Sequence, residues 1–475
     1  MSTRVLALVL LVFCMSADVS SNLSQQLIKV AKAHPEATLG FYAIEIESGA
    51  VIGTYNEAKN MAPASTLKTL TTAAALEILG PDYRFQTRFG YSAPIEEGIL
   101  KGNLHVTPSG DPTLGSKYFN GGTAPDNIYG SLVSFLKERG IKGIQGKLVL
   151  ELHGFETERV PPSWSFDDLG NYYGASVGPM NCFDNTVFLN FSSGNAGSIT
   201  KLESTSPQIP GLTFSNEVEA AKIGYDNAYV YGAPRQYNRT LRGQIPQNRT
   251  SFKIKASMPE PEMFAMLQLV KELRNAGIEV PKGAVSFRKE VPASKQEHEH
   301  VIASPSLAQV VKTTNMESNN QFAEALVKAI GKKQKGLWSR KKGLEAIKEH
   351  FADKISIAQA NLYDGSGLSR FNGVSPKMMA ELMRYMWATK HKDLFYESLP
   401  VAGVSGSIKG MFKGSKAQNN LRAKSGYIDK VRSYSGYTKT ATGKVAAFTV
   451  IVNNYETTST VMRNDLELIL RTLAD

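Results

Sequence analysis

Ser65 and Lys68 are the two residues of this sequence whose types and spacing best suit nucleophilic catalysis. They lie in an apolar stretch that we expect to form one helix, which ends where Gly80 and Pro81 interrupt the pattern. Residues three apart share a helix face, so the Lys68 amine would stand beside the Ser65 hydroxyl. An uncharged amine can accept the hydroxyl proton. The pair is therefore a candidate nucleophile and base, provided that burial or a second cation lowers the pKa of Lys68.

The Ser-x-x-Lys spacing alone is a weak signal, because four other pairs share it and are expected to be ordinary surface residues. Ser65 differs through its surroundings: Pro63 suits the first turn of a helix, and apolar residues recur every three or four positions after it. This pattern predicts an amphipathic helix with Ser65 near the unpaired N–H groups of its first turn. The four other pairs are Ser134–Lys137, Ser198–Lys201, Ser286–Lys289 and Ser339–Lys342.

A second motif, Ser318 and Asn320, lies between two predicted helices. A short loop there can present a hydroxyl and an amide. Ser318 could relay a proton to a leaving amine, and Asn320 could hold an amide of the substrate. Ser-x-Asn is common, and it also occurs at 20–22 and 193–195, so this motif has meaning only together with the others.

A third motif, Lys424-Ser425-Gly426, is the one Lys-Ser/Thr-Gly sequence in the chain and stands directly before a predicted strand. Lys424 could supply a fixed positive charge that lowers the pKa of the Ser-x-x-Lys amine and attracts a substrate carboxylate. Ser425 would add a hydroxyl to that carboxylate, and Gly426 would let the strand lie close to the substrate backbone. The N–H groups of Ser65 and Tyr427 are the expected oxyanion hole.

The composition indicates a basic protein of two or three domains, with 475 residues and a formal net charge of +11. A basic surface favours anionic partners such as acidic wall polymers or phospholipid, which leaves peripheral membrane contact open. The lysines are scattered, and the densest run, from Lys332 to Lys348, is expected to be a solvated helix face. No nucleic-acid-binding motif accompanies the charge, so we expect no nucleic-acid partner.

Residues 1–17 have the pattern of a secretory signal peptide, with Arg4 followed by a short apolar run and small residues. We expect cleavage near Ser16–Ala17 and a mature protein that is secreted or periplasmic. No later apolar run is long enough to span a bilayer. Removal of Cys14 would leave Cys182 as the single cysteine, so no disulfide within the chain is expected.

Strands predicted near both ends of the chain indicate an α+β fold, in which these strands meet in one mainly antiparallel sheet flanked by helices. The N-terminal pair covers Thr38 to Glu47 and Ala50 to Tyr55. The C-terminal strand covers Lys444 to Asn453, and an amphipathic helix follows it.

The middle of the chain differs from both ends in its pattern of short strands and turns, and this difference predicts the domain organisation. Residues 18–84 and 301–475 would form the catalytic domain, which includes a helical lobe. Residues 85–300 are rich in short strands and turns and would form an inserted β-rich region, with one subdomain nested in another. A linker from Lys289 to His300 would connect the inserted region to the second part of the catalytic domain. Its Glu297-His298-Glu299-His300 lacks the spacing of a zinc-binding helix, so we expect no metal site there.

The three motifs follow one another in the order typical of penicillin-binding proteins and class A β-lactamases. Over nearly its whole mature length the chain resembles the low-molecular-mass class C penicillin-binding proteins, which are D-alanyl-D-alanine carboxypeptidases and endopeptidases. The long gap between the first two motifs fits that family, because β-lactamases have no such insertion. Further matching segments are Gly110–Leu114, Trp164–Ala175, Asp364–Arg370 and Val401–Ser407.

The resemblance implies the penicillin-recognising fold shared by DD-peptidases and serine β-lactamases, with two inserted domains. It implies peptidoglycan peptides as substrates, cleaved at the D-Ala-D-Ala end or at the D-Ala–diamino acid cross-link. It also implies covalent binding of β-lactam antibiotics at Ser65, and no metal or cofactor. Asp168 matches an acidic position that the family turns toward the side-chain amine of the substrate. A helix-capping or surface role for Asp168 remains the alternative.

Two departures from the family pattern keep other functions open. Tyr427 stands where the family has threonine, and Asn319 stands where it has aspartate, which removes a hydroxyl and a charge. These changes motivate one alternative, a cell-wall peptide-binding protein with little turnover. A β-lactamase is less favoured, because no Glu in the motif context would drive rapid deacylation. The main prediction is a serine DD-peptidase that acts through an acyl-enzyme at Ser65.

Overall fold

The computed structural model describes residues 21–120, 127–290 and 296–475, so the predicted signal peptide lies outside the described residues. The strands of these residues are numbered in chain order. They are β1 (Thr38–Glu45), β2 (Val51–Tyr55), β3 (Gln86–Tyr91), β4 (Ile95–Glu96), β5 (Ile99–Leu100), β6 (Leu104–Thr107), β7 (Gly143–Ile144), β8 (Leu148–Glu151), β9 (Thr186–Ser193), β10 (Lys201–Ser206), β11 (Thr213–Ala221), β12 (Asn227–Tyr231), β13 (Asn238–Pro246), β14 (Arg249–Ser257), β15 (Val285–Arg288), β16 (His298–Ala303), β17 (Arg422–Ile428), β18 (Val431–Lys439) and β19 (Val445–Asn453).

The first helix, α1, covers residues 21–33. The others are α2 (Lys68–Leu79), α3 (Gly130–Glu138), α4 (Phe166–Leu169), α5 (Pro261–Asn275), α6 (Leu307–Glu317), α7 (Asn320–Lys335), α8 (Arg340–Phe351), α9 (Pro376–Ala388), α10 (Lys392–Ser398) and α11 (Ser459–Ala474). Short 3-10 turns lie at Ala64–Leu67, Tyr172–Gly174, Phe183–Asn185 and Gly406–Ile408. Among the described residues, no helix combines the length and the apolar character that a membrane span requires.

The described chain divides into two compact units. The first unit takes the residues up to Pro81, together with Leu307–Gln334 and Arg340–Asp475. The second unit takes Asp82–Ser306 and Lys335–Ser339. The sequence gives no sign that the short segment between α7 and α8 joins the second unit, because its few residues carry no periodic pattern of their own.

A five-stranded antiparallel sheet organises the first unit, in the order β17-β18-β19-β1-β2. β1 pairs with β19 along its whole length, with Thr38 opposite Asn453 and Glu45 opposite Ala446. Strands from the two ends of the chain therefore meet at the centre of this sheet. The prediction of a mainly antiparallel sheet flanked by helices is confirmed.

Helices cover both faces of this sheet. Successive residues of each strand point to opposite faces, so each strand packs against helices on both sides. On one face, Phe41 of β1 belongs to a buried cluster with Leu27 of α1 and Leu466 of α11. On the other face, α9 packs against β1 and β19. The Tyr437 hydroxyl of β18 donates a hydrogen bond to the carbonyl oxygen of Met383 in α9 at 2.7 Å.

The segment around Ser65 differs from the amphipathic helix that the sequence predicts. Ala64–Leu67 forms a 3-10 turn, and α2 begins only at Lys68. Every residue of α2 from Lys68 to Leu76 is buried, so this helix is enclosed on all sides. Its threonine hydroxyls donate hydrogen bonds to backbone carbonyl oxygens, which satisfies these polar groups without water. The prediction that this helix is amphipathic is therefore wrong.

The predicted helical lobe corresponds to α6, α7 and α8, with α9 beside them. The buried helix α2 packs against α6, α8 and α9. One helix of this region, α10, was not predicted, because its seven residues are too few to show a periodic pattern.

The second unit is rich in strands, as the sequence predicts for this region. Its described residues form a five-stranded sheet, β15-β8-β6-β3-β16, and three sheets of three strands, β10-β9-β14, β11-β13-β12 and β4-β5-β7. Parallel and antiparallel pairs occur together, for example β6 parallel to β8 and antiparallel to β3. The helices α3 and α5 contribute Leu132 and Leu269 to a core that includes Phe89 of β3.

Two local predictions differ from the structure. The predicted linker ends in a strand, because residues from His298 onward form β16 and pair with β3; residues 291–295 of that linker lie outside the described residues. The motif Lys424-Ser425-Gly426 lies inside β17, one strand earlier than expected, and the strand that follows it is β18. Neither segment has the run of β-branched and aromatic residues that marks a strand in sequence.

We expect Asn453→Ala to weaken the attachment of the segment that carries Ser65. The Asn453 amide donates to the carbonyl oxygen of Ala62 at 3.0 Å and accepts from the Ala62 N–H at 2.8 Å. Loss of both bonds should lower the free energy of unfolding by about 1–2 kcal/mol, measured by urea denaturation. The exposed Asn464→Ala in α11 is the control, and equal losses in both variants would contradict the prediction.

Candidate active site

Ser65 lies in the 3-10 turn before α2, with its side chain half-buried. Thr66 Oγ1 donates to the carbonyl oxygen of Pro63 at 2.7 Å, and the Ser433 hydroxyl of β18 donates to the same oxygen. Ala64 has a φ of +46°, a left-handed backbone that costs energy in a residue with a side chain. The contacts around the turn, and not local preference, therefore fix the position of the Ser65 hydroxyl.

Lys68 is completely buried, and its amine has three oxygen partners. Nζ lies 2.9 Å from Ser65 Oγ, 2.6 Å from Asn320 Oδ1 and 2.7 Å from the carbonyl oxygen of Ser366. Three acceptors within hydrogen-bond distance fix the direction of the amine. The serine and lysine singled out from the sequence are thus in direct contact, and Asn320 joins them.

Burial also determines the acid–base behaviour of Lys68. Loss of hydration lowers its pKa from 10.5 to about 7, while the carboxylates of Asp364 and Glu324 act in the opposite direction. A lysine with a pKa near neutrality is uncharged for a substantial part of the time. Only that uncharged form can accept the proton of Ser65.

A second contact joins Ser318 to Lys424. Lys424 Nζ donates to Ser318 Oγ and to the carbonyl oxygen of Ser425, both at 2.8 Å. Ser318 has a φ of +56° in the connection from α6 to α7, and Asn320 is the first residue of α7. This short connection presents Ser318 to Lys424 and Asn320 to Lys68, so it links the two lysines.

The electrostatics of Lys424 differ from the permanent cation that the sequence analysis expects. Its side chain is fully buried, and burial, followed by repulsion from Lys68, lowers its pKa well below the usual value. The pKa of Lys68 is lowered mainly by its own burial. Repulsion between two ammonium groups disfavours the charged form of both, so the expectation that Lys424 lowers the pKa of Lys68 stays a prediction.

The other residues of the third motif follow β17, which is the edge strand of the sheet. Ser425 Oγ lies 2.6 Å from Ser407 Oγ. Gly426 packs against the turn that carries Ser65, where an added Cβ would lie 2.6 Å from the Pro63 carbonyl oxygen and 3.0 Å from the Ser65 nitrogen. This close approach to the Ser65 turn requires glycine, and the expected approach of Gly426 to a substrate backbone stays a prediction.

Tyr427 is the residue of β17 that departs from the family pattern, and it lies at the surface. Its side chain is 53% exposed, and the Arg432 guanidinium lies 4.7 Å from the centre of its ring. Such a cation–π contact gives the ring a preferred orientation. The assignment of the Ser65 and Tyr427 N–H groups to an oxyanion hole stays a prediction.

The loop from Asp364 to Arg370 belongs to the site, although the sequence analysis used it only as a point of resemblance. Asp364 accepts hydrogen bonds from the N–H groups of Gly367 at 2.8 Å and Ser369 at 2.6 Å. These bonds shape the loop that places the Ser366 carbonyl oxygen on Lys68. An aspartate followed by Gly-Ser-Gly is the signal that could have identified such a loop, because its carboxylate can bind the N–H groups that follow.

Asp168 lies in the second unit, on the four-residue helix α4. All the other residues predicted for the site belong to the first unit. The expected contact of Asp168 with a substrate side chain therefore stays a prediction.

Similarity to known proteins extends over nearly the whole chain. The model of the D-Ala-D-Ala carboxypeptidase 3 (S13) family matches residues 20–473. The D-alanyl-D-alanine carboxypeptidase DacB of Haemophilus influenzae is 28% identical over 444 residues, which are 92% of this chain and 88% of that protein. The crystal structure of penicillin binding protein 4 (dacB) from Haemophilus influenzae matches with a TM-score of 0.80 and 28% identity, over 96% of this chain and 98% of that chain. The same protein complexed with a novel β-lactam gives a TM-score of 0.76 and 27% identity, with the same coverage.

The family match spans nearly the whole chain, and the structural match has the same extent. The resemblance and the fold predicted from the motifs are confirmed. This chain belongs to the D-Ala-D-Ala carboxypeptidase 3 (S13) family, and it is a serine-type DD-peptidase.

Proposed function

We propose that this chain hydrolyses the D-Ala-D-Ala ends and the D-Ala–diamino acid cross-links of peptidoglycan through an acyl-enzyme at Ser65. The observation that carries the proposal is the 2.9 Å contact between Ser65 Oγ and the buried amine of Lys68. A hydroxyl paired with an amine whose pKa is near neutrality is an activated nucleophile. Membership of the family supports the substrate class.

In the acylation step, Ser65 Oγ attacks the carbonyl carbon of the penultimate D-Ala while its proton passes to Lys68 Nζ. The N–H groups of Ser65 and Tyr427 would stabilise the negative oxygen that forms. The C–N bond then breaks, and the leaving amine takes the proton from Lys68 through the hydroxyl of Ser318. The hydrogen bond from Lys424 to Ser318 supports this role, because it orients the hydroxyl.

In the second step, water attacks the carbonyl carbon of the ester and gives its proton to Lys68. The C–O bond to Ser65 breaks, and the serine oxygen regains a proton from the same amine. One peptide bond and one water molecule are consumed, and the free enzyme is restored.

Substrate binding would involve the residues along β17. A C-terminal carboxylate beside Lys424 would raise the pKa of that amine, because a nearby opposite charge favours the ammonium form. The Ser425 hydroxyl, which is paired with Ser407 at 2.6 Å, would add a hydrogen bond to the carboxylate. The substrate backbone would lie along the edge strand β17, and Asn320 would hold one of its amides.

We further propose that the enzyme acts outside the cytoplasm, in the periplasm or as a secreted protein. The signal-peptide pattern of residues 1–17 supports this location, as does a peptidoglycan substrate. β-Lactams would acylate Ser65 in the same way as substrate. A related protein of the same fold, which is 27% identical, has been crystallised with a β-lactam, and this supports that partner.

The first test replaces the nucleophile. Ser65→Ala should abolish covalent labelling by a fluorescent penicillin, because no hydroxyl remains to form the ester. Labelling is measured on denaturing gels, where only a covalent adduct survives. Ser134→Ala, in another Ser-x-x-Lys pair on α3, is the matched control and should label like wild type. Equal labelling of the Ser65→Ala variant and the wild type would refute the proposal.

Turnover is tested with defined muropeptides, whose products are weighed by mass spectrometry. Release of D-Ala from pentapeptides reports carboxypeptidase activity, and conversion of cross-linked dimers to monomers reports endopeptidase activity. Either product excludes the alternative of a wall-binding protein with little turnover. Intact muropeptides after prolonged incubation would instead favour that alternative.

The rate of acylation should rise with pH through about 7 and then level off. The pKa of Lys68 is lowered to about 7, and only its uncharged form can act as base. Stopped-flow measurement of labelling between pH 5 and 9 gives the profile. Lys68→Arg, which stays charged over this range, should lose about 100-fold or more at every pH. A profile without a rise through neutrality would contradict the role of Lys68.

Gly426→Ala should slow acylation by roughly 100-fold while the protein still folds. The added Cβ would press on the Pro63 carbonyl oxygen and the Ser65 nitrogen and displace the nucleophile, and small displacements cost large factors in rate. The control is Gly410→Ala, since a Cβ at Gly410 meets no atom within 4 Å. Unchanged rates in both variants would show that β17 does not position Ser65.

A further inference from the structure

Glu324 is a buried carboxylate close to the site that no motif includes. It lies on α7 four residues after Asn320, so the two side chains share a face of the helix. Glu324 is 2% exposed. Its Oε1 accepts hydrogen bonds from the N–H groups of Gly365 at 3.0 Å and Ser366 at 2.8 Å.

These bonds connect Glu324 to the amine of Lys68 through a single residue. The N–H of Ser366 donates to Glu324, and the carbonyl oxygen of Ser366 accepts from Lys68 Nζ at 2.7 Å. The side chain of Glu324 therefore holds the residue that supplies one of the three partners of the catalytic amine.

The second oxygen of Glu324 points to an electrostatic role. Oε2 is buried and has no hydrogen-bond partner among the described residues. Burying a carboxylate with one oxygen that lacks a hydrogen bond costs free energy. The presence of Glu324 at this position therefore needs an explanation beyond shaping the loop. A negative charge close to Lys68 stabilises the ammonium form of that lysine.

Several charged groups bear on this carboxylate and must be considered together. Asp364, in the loop packed on α7, repels it, and burial with this repulsion raises the pKa of Glu324 to about 7. Lys68 of α2 faces it as the opposite charge. Lys424 of β17 has its pKa lowered by burial and by repulsion from Lys68, and Lys328 is buried one turn further along α7. Glu324 and Lys68 therefore titrate in the same range and influence each other.

We propose that Glu324 is a positioning residue for the reaction, which orients Ser366 toward Lys68 and stabilises the proton that Lys68 takes from Ser65. This inference rests on the proposed role of Lys68 as base. The negative charge holds the transferred proton on the amine until the leaving amine takes it. The charge also raises the pH at which the free amine becomes available, so Glu324 sets the position of the pH profile.

The decisive variant is Glu324→Gln, which keeps an oxygen for the Gly365 and Ser366 N–H groups and removes the charge. We expect the rising limb of acylation rate against pH to move to lower pH by about one unit, because Lys68 loses a stabilising negative charge. The rate on the plateau should fall by roughly three- to tenfold, since a weaker base accepts the proton less readily. Rates are measured with fluorescent penicillin on folded protein from pH 5 to 9.

Two further variants separate charge from structure. Glu324→Asp keeps the charge and shortens the side chain, so it should slow acylation and leave the midpoint of the profile unchanged. Gln321→Met is the matched control, because Gln321 is buried on the same helix and its replacement alters no charge. It should also leave the midpoint unchanged, whatever its effect on stability.

The outcomes distinguish this inference from the proposed function. If the midpoint of Glu324→Gln equals that of wild type, the electrostatic role of Glu324 is refuted, while labelling at Ser65 still stands. An equal shift in Glu324→Asp or Gln321→Met would also refute it, because the cause would then be structural. Labelling of Ser65→Ala, in contrast, would refute the proposed function itself.

Discussion

The burial of the Lys68 amine among oxygen atoms is the constraint on which the rest of the site depends. An ammonium group loses the hydration of water when it is buried, which favours the uncharged form. The oxygen atoms of Ser65, Asn320 and Ser366 replace that hydration with directed hydrogen bonds. The amine is consequently fixed in one position, and a substantial fraction of it is uncharged near neutral pH. A general base needs both properties.

The fold meets this constraint by bringing four separate segments to one amine. The enclosed helix α2 supplies the lysine, α7 supplies Asn320, the glycine-rich loop supplies Ser366, and β17 closes against the turn of Ser65 through Gly426. Protein interiors are close-packed, so a shift of any one segment is transmitted to the others. This interdependence explains why residues far apart in the sequence behave as one site.

Sequence patterns predict which residues react better than they predict the environment of those residues. Helix spacing predicts the contact of Ser65 with Lys68, and the order of the motifs predicts that Ser318, Asn320 and Lys424 belong to the same site. The charge of Lys424 and the enclosure of α2 could not be predicted, since both depend on burial by distant segments. Continuous apolar runs predict β1 and β19, which are buried along most of their length. The same rule fails for β17, whose Lys-Ser-Gly sequence meets the needs of chemistry and not those of a strand.

The anchors of the Ser65 turn carry a consequence for biosynthesis. Ser65 is made early, whereas Ser433 and Asn453, which tie down its turn, belong to strands made near the end of translation. A nascent polypeptide therefore contains the serine before the residues that hold its turn have been made. Fragments that lack β18 and β19 also lack these anchors, so the order of the chain delays assembly of the site until synthesis is nearly complete.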